Sequence, residues 1–513
     1  ACLALALAAP ANAADAPQSW TLENGVVRLA VEVAGGRLAG DRLQRLDGSG
    51  PELRSDGGFA LELTWTDWSA PGRKQNADNP VELGANDFLF EKAETTEAAG
   101  GRELRLSFHG DGQAGNPLRL ALVYRLEPGR WWMKRRLEVS DAGGPRHFLR
   151  AIRPLAERLQ GAFSVLKDGG FGQPVALAGD GGGAFFGLEY PAADNLLLAG
   201  AGELAVRCGQ EIGERVGPRP IVSDWAVAAL TPDERVKYWF FEYLDSVRVA
   251  PLRPYTLYNS WYDLRSPVYP GISGEHVMNE ANVRRIIGLL RANMVEKHGI
   301  RLDAFVLDDG WYVYAGDWEL RRDMFPAGLR PIADELAGTG TRLGVWFGPT
   351  GGYSFRKERL AWMTAHGYEA AGDQLCLAGT NYHALFRKRA LDFVRDDGVG
   401  YFKWDGIQFS CSEPGHGHAV DVYSRRAVME AVADLCRAAR AADPGMFLNV
   451  TSGTWLSPWW LRFADQIWMG GEDYGWSDVP SLSKRDAAIT YRDSVLYDDF
   501  RVQDLWFPLA NLM

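Results

Sequence analysis

The chain is short of cysteine and of positive charge, and its interior has no apolar run long enough to span a bilayer; each shortage removes a class of function. Five cysteines in 513 residues are too few for a disulfide scaffold. Cys2 lies in an N-terminal Ala/Leu run, and Cys208, Cys376, Cys411 and Cys436 lack the C-x-x-C spacing of a zinc site. No structural metal and no cofactor are therefore expected, and one disulfide is compatible with an oxidising compartment without the spacing naming its partners. The formal charge of −11, from 55 Lys and Arg against 66 Asp and Glu, offers no basic face to neutralise phosphates, so nucleic acid is not an expected partner. Past the N-terminal run, no stretch reaches the ~18 apolar residues of a membrane span. There is no low-complexity tract and no internal repeat beyond the βα rhythm described below.

The run at residues 1–13, ACLALALAAPANA, reads as the apolar core and small-residue cleavage site of a secretory signal that lacks its start. The expectation is an exported protein, periplasmic or extracellular, whose mature chain begins near Ala14. What the chain does have is apolar residues, 46% of the total, enough for more than one core over this length. It also has 19 Trp. Indole faces stack on the apolar faces of sugars, which is compatible with a carbohydrate site, although Trp also fills cores.

Two patterns divide the chain. Over residues 14–250, short alternating runs such as VVRLAVEV, ELRLSFHG and LRLALVYRLE are separated by Gly, Asp and Pro, which predicts an antiparallel β-sandwich. Over residues 251–513, apolar strands alternate with amphipathic stretches such as VRRIIGLLRAN and RRAVMEAVADLCRAARAAD, the signature of βα units and a (β/α)8 barrel. Strands are predicted near Tyr255, Phe305, Val345, Phe402, Leu448, Ile467 and Phe507. An eighth is wanting, so the barrel reads as truncated near its end.

Catalytic groups in such barrels sit where strands end. Those ends carry Asp308-Asp309, Trp346, Lys403-Trp404-Asp405, Thr451-Ser452-Gly453 and Gly471-Glu472-Asp473. Retaining glycosidic cleavage needs one carboxylate to attack and a second to protonate the leaving oxygen. Asp405 suits the first role, because Lys403, two residues earlier in a strand, falls on the same face and holds it ionised. Asp473, flanked by Trp468, Tyr474 and Trp476, suits the second through partial desolvation, with Glu472 as its rival. Asp308 and Asp309 suit hydroxyl acceptance or, as clustered carboxylates, a hard cation. His416 and His418 invite a metal but show no third ligand at a telling distance, so PGHGHAV reads as a loop.

Several ordered motifs resemble glycoside hydrolase families 27 and 36, the α-galactosidases and α-N-acetylgalactosaminidases. They are NSW at Asn259 to Trp261, LDDGW at Leu307 to Trp311, FPAGL at Phe325 to Leu329, GVWFGP at Gly344 to Pro349, and KWD at Lys403 to Asp405. A β-domain ahead of the barrel is similar to family 36 in domain order. The resemblance implies Asp405 as nucleophile, Lys403 as its charged companion, and Asp308 and Asp309 as acceptors for two galactose hydroxyls. It implies Trp261, Trp311 and Trp346 as pocket walls, and Ser452 and Gly453 as the small residues beside the sugar's 2-substituent. Counting along IWMGGEDYGW by the family 27 pattern places the acid on Asp473; the family 36 pattern lands near Gly471. Gly406-Ile407-Gln408 stands where family 36 members usually continue with Asn-Arg, so that arginine contact is missing, and the small residues of Thr451-Ser452-Gly453 leave room for an acetamido group, so N-acetylgalactosamine is as admissible as galactose. The expected partner is an oligosaccharide or glycoconjugate carrying a terminal α-linked sugar. Two rivals are transfer of that sugar to an acceptor, as in raffinose-synthase relatives, and a glycan-binding protein without a working acid.

Overall fold

A computed structural model describes residues 17–64, 80–98, 100–111, 117–143, 148–200, 203–473, 475 and 483–513. The signal-like run at 1–13 lies outside them, as do Tyr474 and Trp476. The chain divides into two compact units, one ending at Tyr243 and the other running from Leu244 to Met513.

In the first unit the alternating runs become strands with the burial that alternation dictates. Val27–Ala34 buries Val27, Leu29, Val31 and Val33 and turns its other residues outward. Among the described residues all pairings in this unit are antiparallel, in two ladders joined by Ser164–Phe171, which pairs with Val175–Gly179 of one and Asp194–Gly200 of the other. The ladders meet through a buried ionic network. The fully buried Arg135 guanidinium lies 2.9 Å from Asp41 and 2.9 Å from Glu157. The Tyr124 hydroxyl donates to Asp41 at 2.9 Å and the Ser55 hydroxyl to Asp41 at 2.5 Å. Mutual pairing of this kind is what allows charges to sit in an apolar interior.

The second unit is built on a six-stranded parallel sheet: β1 Leu257–Asn259, β2 Ala304–Leu307, β3 Arg342–Phe347, β4 Val399–Trp404, β5 Phe447–Val450 and β6 Gln466–Ile467, hydrogen-bonded in that order. Among its helices are α1 Glu280–Leu290, α2 Arg330–Ala337, α3 Arg356–Ala365, α4 Thr380–Asp397, α5 Arg425–Ala442 and α6 Lys484–Tyr497. Sequence explains their limits. The Asn279 side chain caps α1 by accepting from the Asn282 N–H at 2.8 Å, and Val283, Ile286 and Ile287 give that helix a buried stripe at helical spacing.

One sheet face carries a buried cluster of Ala304, Val306, Tyr401 and Phe447, with Tyr255 and Leu257 against it. Because side chains alternate, continuing two residues along each strand places Asp308 above Val306, Lys403 above Tyr401, and Asn449 then Thr451 above Phe447. The apolar cluster is thus the floor under a polar layer at the strands' C-terminal ends.

The predicted seventh strand near Phe507 is not formed. Trp506 and Phe507 are buried, but Pro508 lacks the N–H that a ladder needs and leads into a 3-10 turn at Leu509–Asn511. Leu512 alone makes an isolated parallel bridge to Ile467. Among the described residues no helix is long and apolar enough to cross a membrane.

Candidate active site

The strand ends surround a cavity of about 330 Å³ lined by Trp261, Asp308, Asp309, Trp346, Tyr353, Lys403, Asp405, Thr451, Ser452, Trp468, Gly471, Glu472, Asp473 and Met513. Twelve of the residues singled out from sequence are among them: Trp261, Asp308, Asp309, Trp346, Lys403, Asp405, Thr451, Ser452, Trp468, Gly471, Glu472 and Asp473.

Asp405 follows β4 and is tied from several sides. Its Oδ1 accepts from the Thr451 hydroxyl at 2.6 Å, the Tyr353 hydroxyl at 3.2 Å, the Ser452 N–H at 3.3 Å and the Ser452 hydroxyl; Oδ2 accepts from the Trp346 indole at 3.0 Å. Burial by itself would push this carboxyl up. The Lys403 charge, with the hydrogen bonds from Ser452, Thr451 and Trp346, outweighs burial and holds it below its ordinary value. Lys403 Nζ sits 3.0 Å from Asp308 Oδ2. Burial opposes its charge, but Asp308 and Asp405 more than compensate and raise its pKa.

Asp308 and Asp309 are both buried and differ in surroundings. Asp308 Oδ2 also accepts from the Asn259 amide at 2.8 Å, and its Oδ1 from the Asp309 N–H at 2.8 Å. Asp309 turns to hydroxyls: Oδ1 accepts from Tyr312 at 2.7 Å and Tyr314 at 3.3 Å, Oδ2 from Ser354 at 2.5 Å. Burial, helped by the neighbouring Asp308 charge, raises Asp309's pKa against these donors. Asn259 links the first two strand ends, because its Oδ1 accepts from the Trp261 N–H at 2.8 Å while its amide reaches Asp308. The Arg265 guanidinium lies 3.5 Å from the centre of the Trp261 ring and fixes that wall.

Two expected site residues stand behind the surface. Trp311 is fully buried and donates its indole N–H to the Trp346 carbonyl at 2.9 Å, so it supports a wall that Trp346 presents. Gly453, at φ +98°, turns the chain where a Cβ would come 2.0 Å from the Ile407 carbonyl. Its role is close backbone approach, since it does not line the cavity. The expected apolar collar around Asp473 is partly visible: Trp468 lines the cavity, but Asp473 and Glu472 are both exposed. Their loop is anchored to α6, where Arg492 donates to the Gly470 carbonyl at 3.0 Å and the Glu472 carbonyl at 2.8 Å, and the Glu472 N–H donates to the Tyr491 hydroxyl at 2.8 Å.

Tyr353 and Met513 were not foreseen. Tyr353 follows Gly351 and Gly352, both at positive φ, which swing the loop after β3 so that a 53% exposed tyrosine reaches Asp405 and, at 2.5 Å, the Ser452 hydroxyl. The glycine pair in GPTGGY was the available signal. PGHGHAV lies in turns and bends after β4, as the loop reading expects. His416 and His418 stand with Cys411 of the same loop and with Cys376, distant in sequence, the donor atoms all within 4.8 Å of one another.

Residues 273–473 match the family model described as Melibiase. A 55-residue stretch is 40% identical to α-galactosidase Mel36A of Lactobacillus acidophilus, a match covering 9% of this chain and 8% of that protein. Among solved structures, the family 36 α-galactosidase AgaB of Geobacillus stearothermophilus superposes with a TM-score of 0.62 at 14% identity, covering 99% of this chain and 78% of its own. An AgaA variant from the same organism, in complex with 1-deoxygalactonojirimycin, gives 0.61 at 13% identity over 96% of this chain and 78% of that one. An α-galactosidase from Lactobacillus brevis gives 0.59 at 13% identity over 88% and 72%. The architecture of an antiparallel β-domain followed by a parallel half-barrel is shared with these proteins.

Proposed function

Because residues 273–473 carry the melibiase family signature, we propose that the chain is a retaining glycoside hydrolase that releases a terminal α-linked galactose or N-acetylgalactosamine. The observation that carries this reading is Asp405, half-buried at the cavity wall and held ionised by Lys403 and four side-chain donors. Asp405 attacks the anomeric carbon and forms a covalent glycosyl-enzyme intermediate, which water then resolves. Its Oδ2, with one donor against four on Oδ1, is the oxygen with lone-pair capacity left for attack. Asp473 protonates the leaving oxygen and then activates water, with Glu472 the alternative on the same loop. Asp308 and Asp309 accept sugar hydroxyls, and Trp261 and Trp346 supply apolar walls for the ring.

The six strands, parallel and in sequential order, are taken as part of a (β/α)8 barrel, the architecture that places catalytic groups at one mouth. Export remains part of the proposal and rests on the run at 1–13. Sugar transfer and non-catalytic glycan binding are favoured by no observation in the site.

The test is hydrolysis of p-nitrophenyl α-galactoside and of the α-N-acetylgalactosaminide, with Asp405→Asn measured alongside. Turnover of either that is lost in the variant, with the released sugar first appearing as the α-anomer, supports the proposal. Unimpaired turnover by Asp405→Asn, or initial release of the β-anomer, refutes it.

A further inference from the structure

Cys376, Cys411, His416 and His418 belong to a second cluster, in which two thiols and two imidazoles come together from separate segments. Cys376 follows a hairpin of Ala370–Ala371 with Gln374–Leu375 and precedes α4; the other three lie in the loop that starts at Asp405. Both thiols are buried and both imidazoles half-buried. Cys376 Sγ lies 3.1 Å from His418 Nε2, and Cys411 Sγ lies 3.4 Å from His416 Nδ1. Zinc bonds of about 2.3 Å to sulfur and 2.0–2.1 Å to nitrogen place the corners of a tetrahedron roughly 3.3–3.8 Å apart. The donors therefore already stand near ligand-to-ligand spacing, before any cation draws them in.

The surrounding hydrogen bonds prepare the same chemistry. His418 Nδ1 is 2.7 Å from the Ala419 carbonyl, which can only accept; the proton is thereby placed on Nδ1, leaving the Nε2 lone pair facing the sulfur. Hard cations prefer oxygen, and this donor set offers none. Cys411 is itself fixed, its N–H donating to the Ser424 hydroxyl at 2.7 Å and its carbonyl accepting from the Asp421 N–H at 2.8 Å.

We propose that Cys376, Cys411, His416 and His418 form a structural Cys2His2 site for a zinc-class divalent cation, pinning the loop after β4 to the segment before α4. All four positions are filled by protein, leaving none for water or substrate, so the site is structural and separate from the sugar chemistry. The pinned loop begins at Asp405, and Gly406 and Ile407 donate their N–H groups to the Ser452 hydroxyl at 2.9 Å and the Ser452 carbonyl at 3.0 Å. The cation would stiffen one side of the cavity.

The experiment is metal analysis of the purified full chain by plasma mass spectrometry, followed by cobalt(II) titration of the metal-stripped, reduced protein. The expected result is about one zinc per chain, and cobalt spectra with thiolate charge-transfer and tetrahedral bands. Binding should be lost in Cys376→Ser and Cys411→Ser and retained in Cys208→Ser and Cys436→Ser. Removing the metal should lower the melting temperature whether or not the chain hydrolyses galactosides, which separates this test from that of the proposed activity. The proposal is overturned if reduced wild-type protein binds neither zinc nor cobalt stoichiometrically, if serine at Cys376 and Cys411 leaves binding intact, or if the isolated chain is metal-free with a Cys376–Cys411 disulfide.

Discussion

Lys403→Met removes one charge from the centre of the site and keeps most of the side chain's volume. At 3.0 Å from Asp308 Oδ2, an ammonium–carboxylate pair has a Coulomb ceiling of about 5.5 kcal/mol at an effective dielectric of about 20. Both side chains are largely buried, and breaking such a pair typically costs about 3–5 kcal/mol because the remaining charge is left uncompensated. Asp308 keeps the Asn259 amide and the Asp309 N–H, which puts the expected loss near the lower end, about 3 kcal/mol. That corresponds to a fall of roughly 6–12 °C in the second unit's melting temperature. Activity should respond through Asp405. With Lys403 gone, the largest influence opposing burial at that carboxyl is lost, and its pKa rises. Since the attacking form is ionised, the acid limb of kcat/KM against pH moves to higher pH. In the parent protein the same depressed pKa contributes stability above the unfolded value, lost as pH falls through the folded one. The assay is the kcat/KM profile for p-nitrophenyl α-galactoside, with Lys403→Arg as the charge-conserving control. An acid limb that stays in place in Lys403→Met, or a stability loss below ~1 kcal/mol, would refute the reasoning.

Ser354→Ala takes the hydroxyl donor from a buried oxygen of Asp309 and should cost about 1–3 kcal/mol in denaturant titration, with KM rising more than kcat falls. Tyr491→Phe removes the acceptor for the Glu472 N–H and should leave stability within about 1 kcal/mol while lowering kcat on substrates with poor leaving groups, which depend most on the acid. Gly453→Ala, at φ +98° with the Ile407 carbonyl 2.0 Å from the new Cβ, should destabilise the second unit by more than ~1–3 kcal/mol and impair turnover, because the displaced strand end holds Asp405 through Ser452.

The parts of the molecule that depend on burial periodicity could be read from sequence. VVRLAVEV buries alternate residues as its pattern requires, and the strand ends at Asp308, Lys403 and Thr451 follow from apolar runs that stop where the polar layer begins. What escaped depends on loops. Near Phe507 the apolar residues are buried without pairing, because Pro508 interrupts the ladder. Tyr353 enters the site through two positive-φ glycines, and a loop's direction has no hydrophobic period to reveal it. Trp311 was expected at the wall because a motif says which residues are near a site but not which layer each occupies. The Cys2His2 cluster escaped because Cys376 and Cys411 are brought together by the crossing from β3 to β4, and no short spacing encodes that meeting.

The site has one feature that no single motif states: its charges are shared between strands. Lys403, on β4, bonds a carboxylate at the end of β2 and acts electrostatically on Asp405 at the end of its own strand. Asp405 is in turn held by an indole from β3 and hydroxyls after β5. Each bond crosses a strand boundary, so the polar layer ties the strands together at the end where the apolar floor stops. The carboxylate proposed for attack and the one proposed for sugar binding thus depend on the same ammonium. Substitutions here should therefore not separate cleanly into stability and activity effects, and Asp308→Asn combined with Lys403→Met should cost less than the two changes added, since each alone leaves the other's charge buried without its partner.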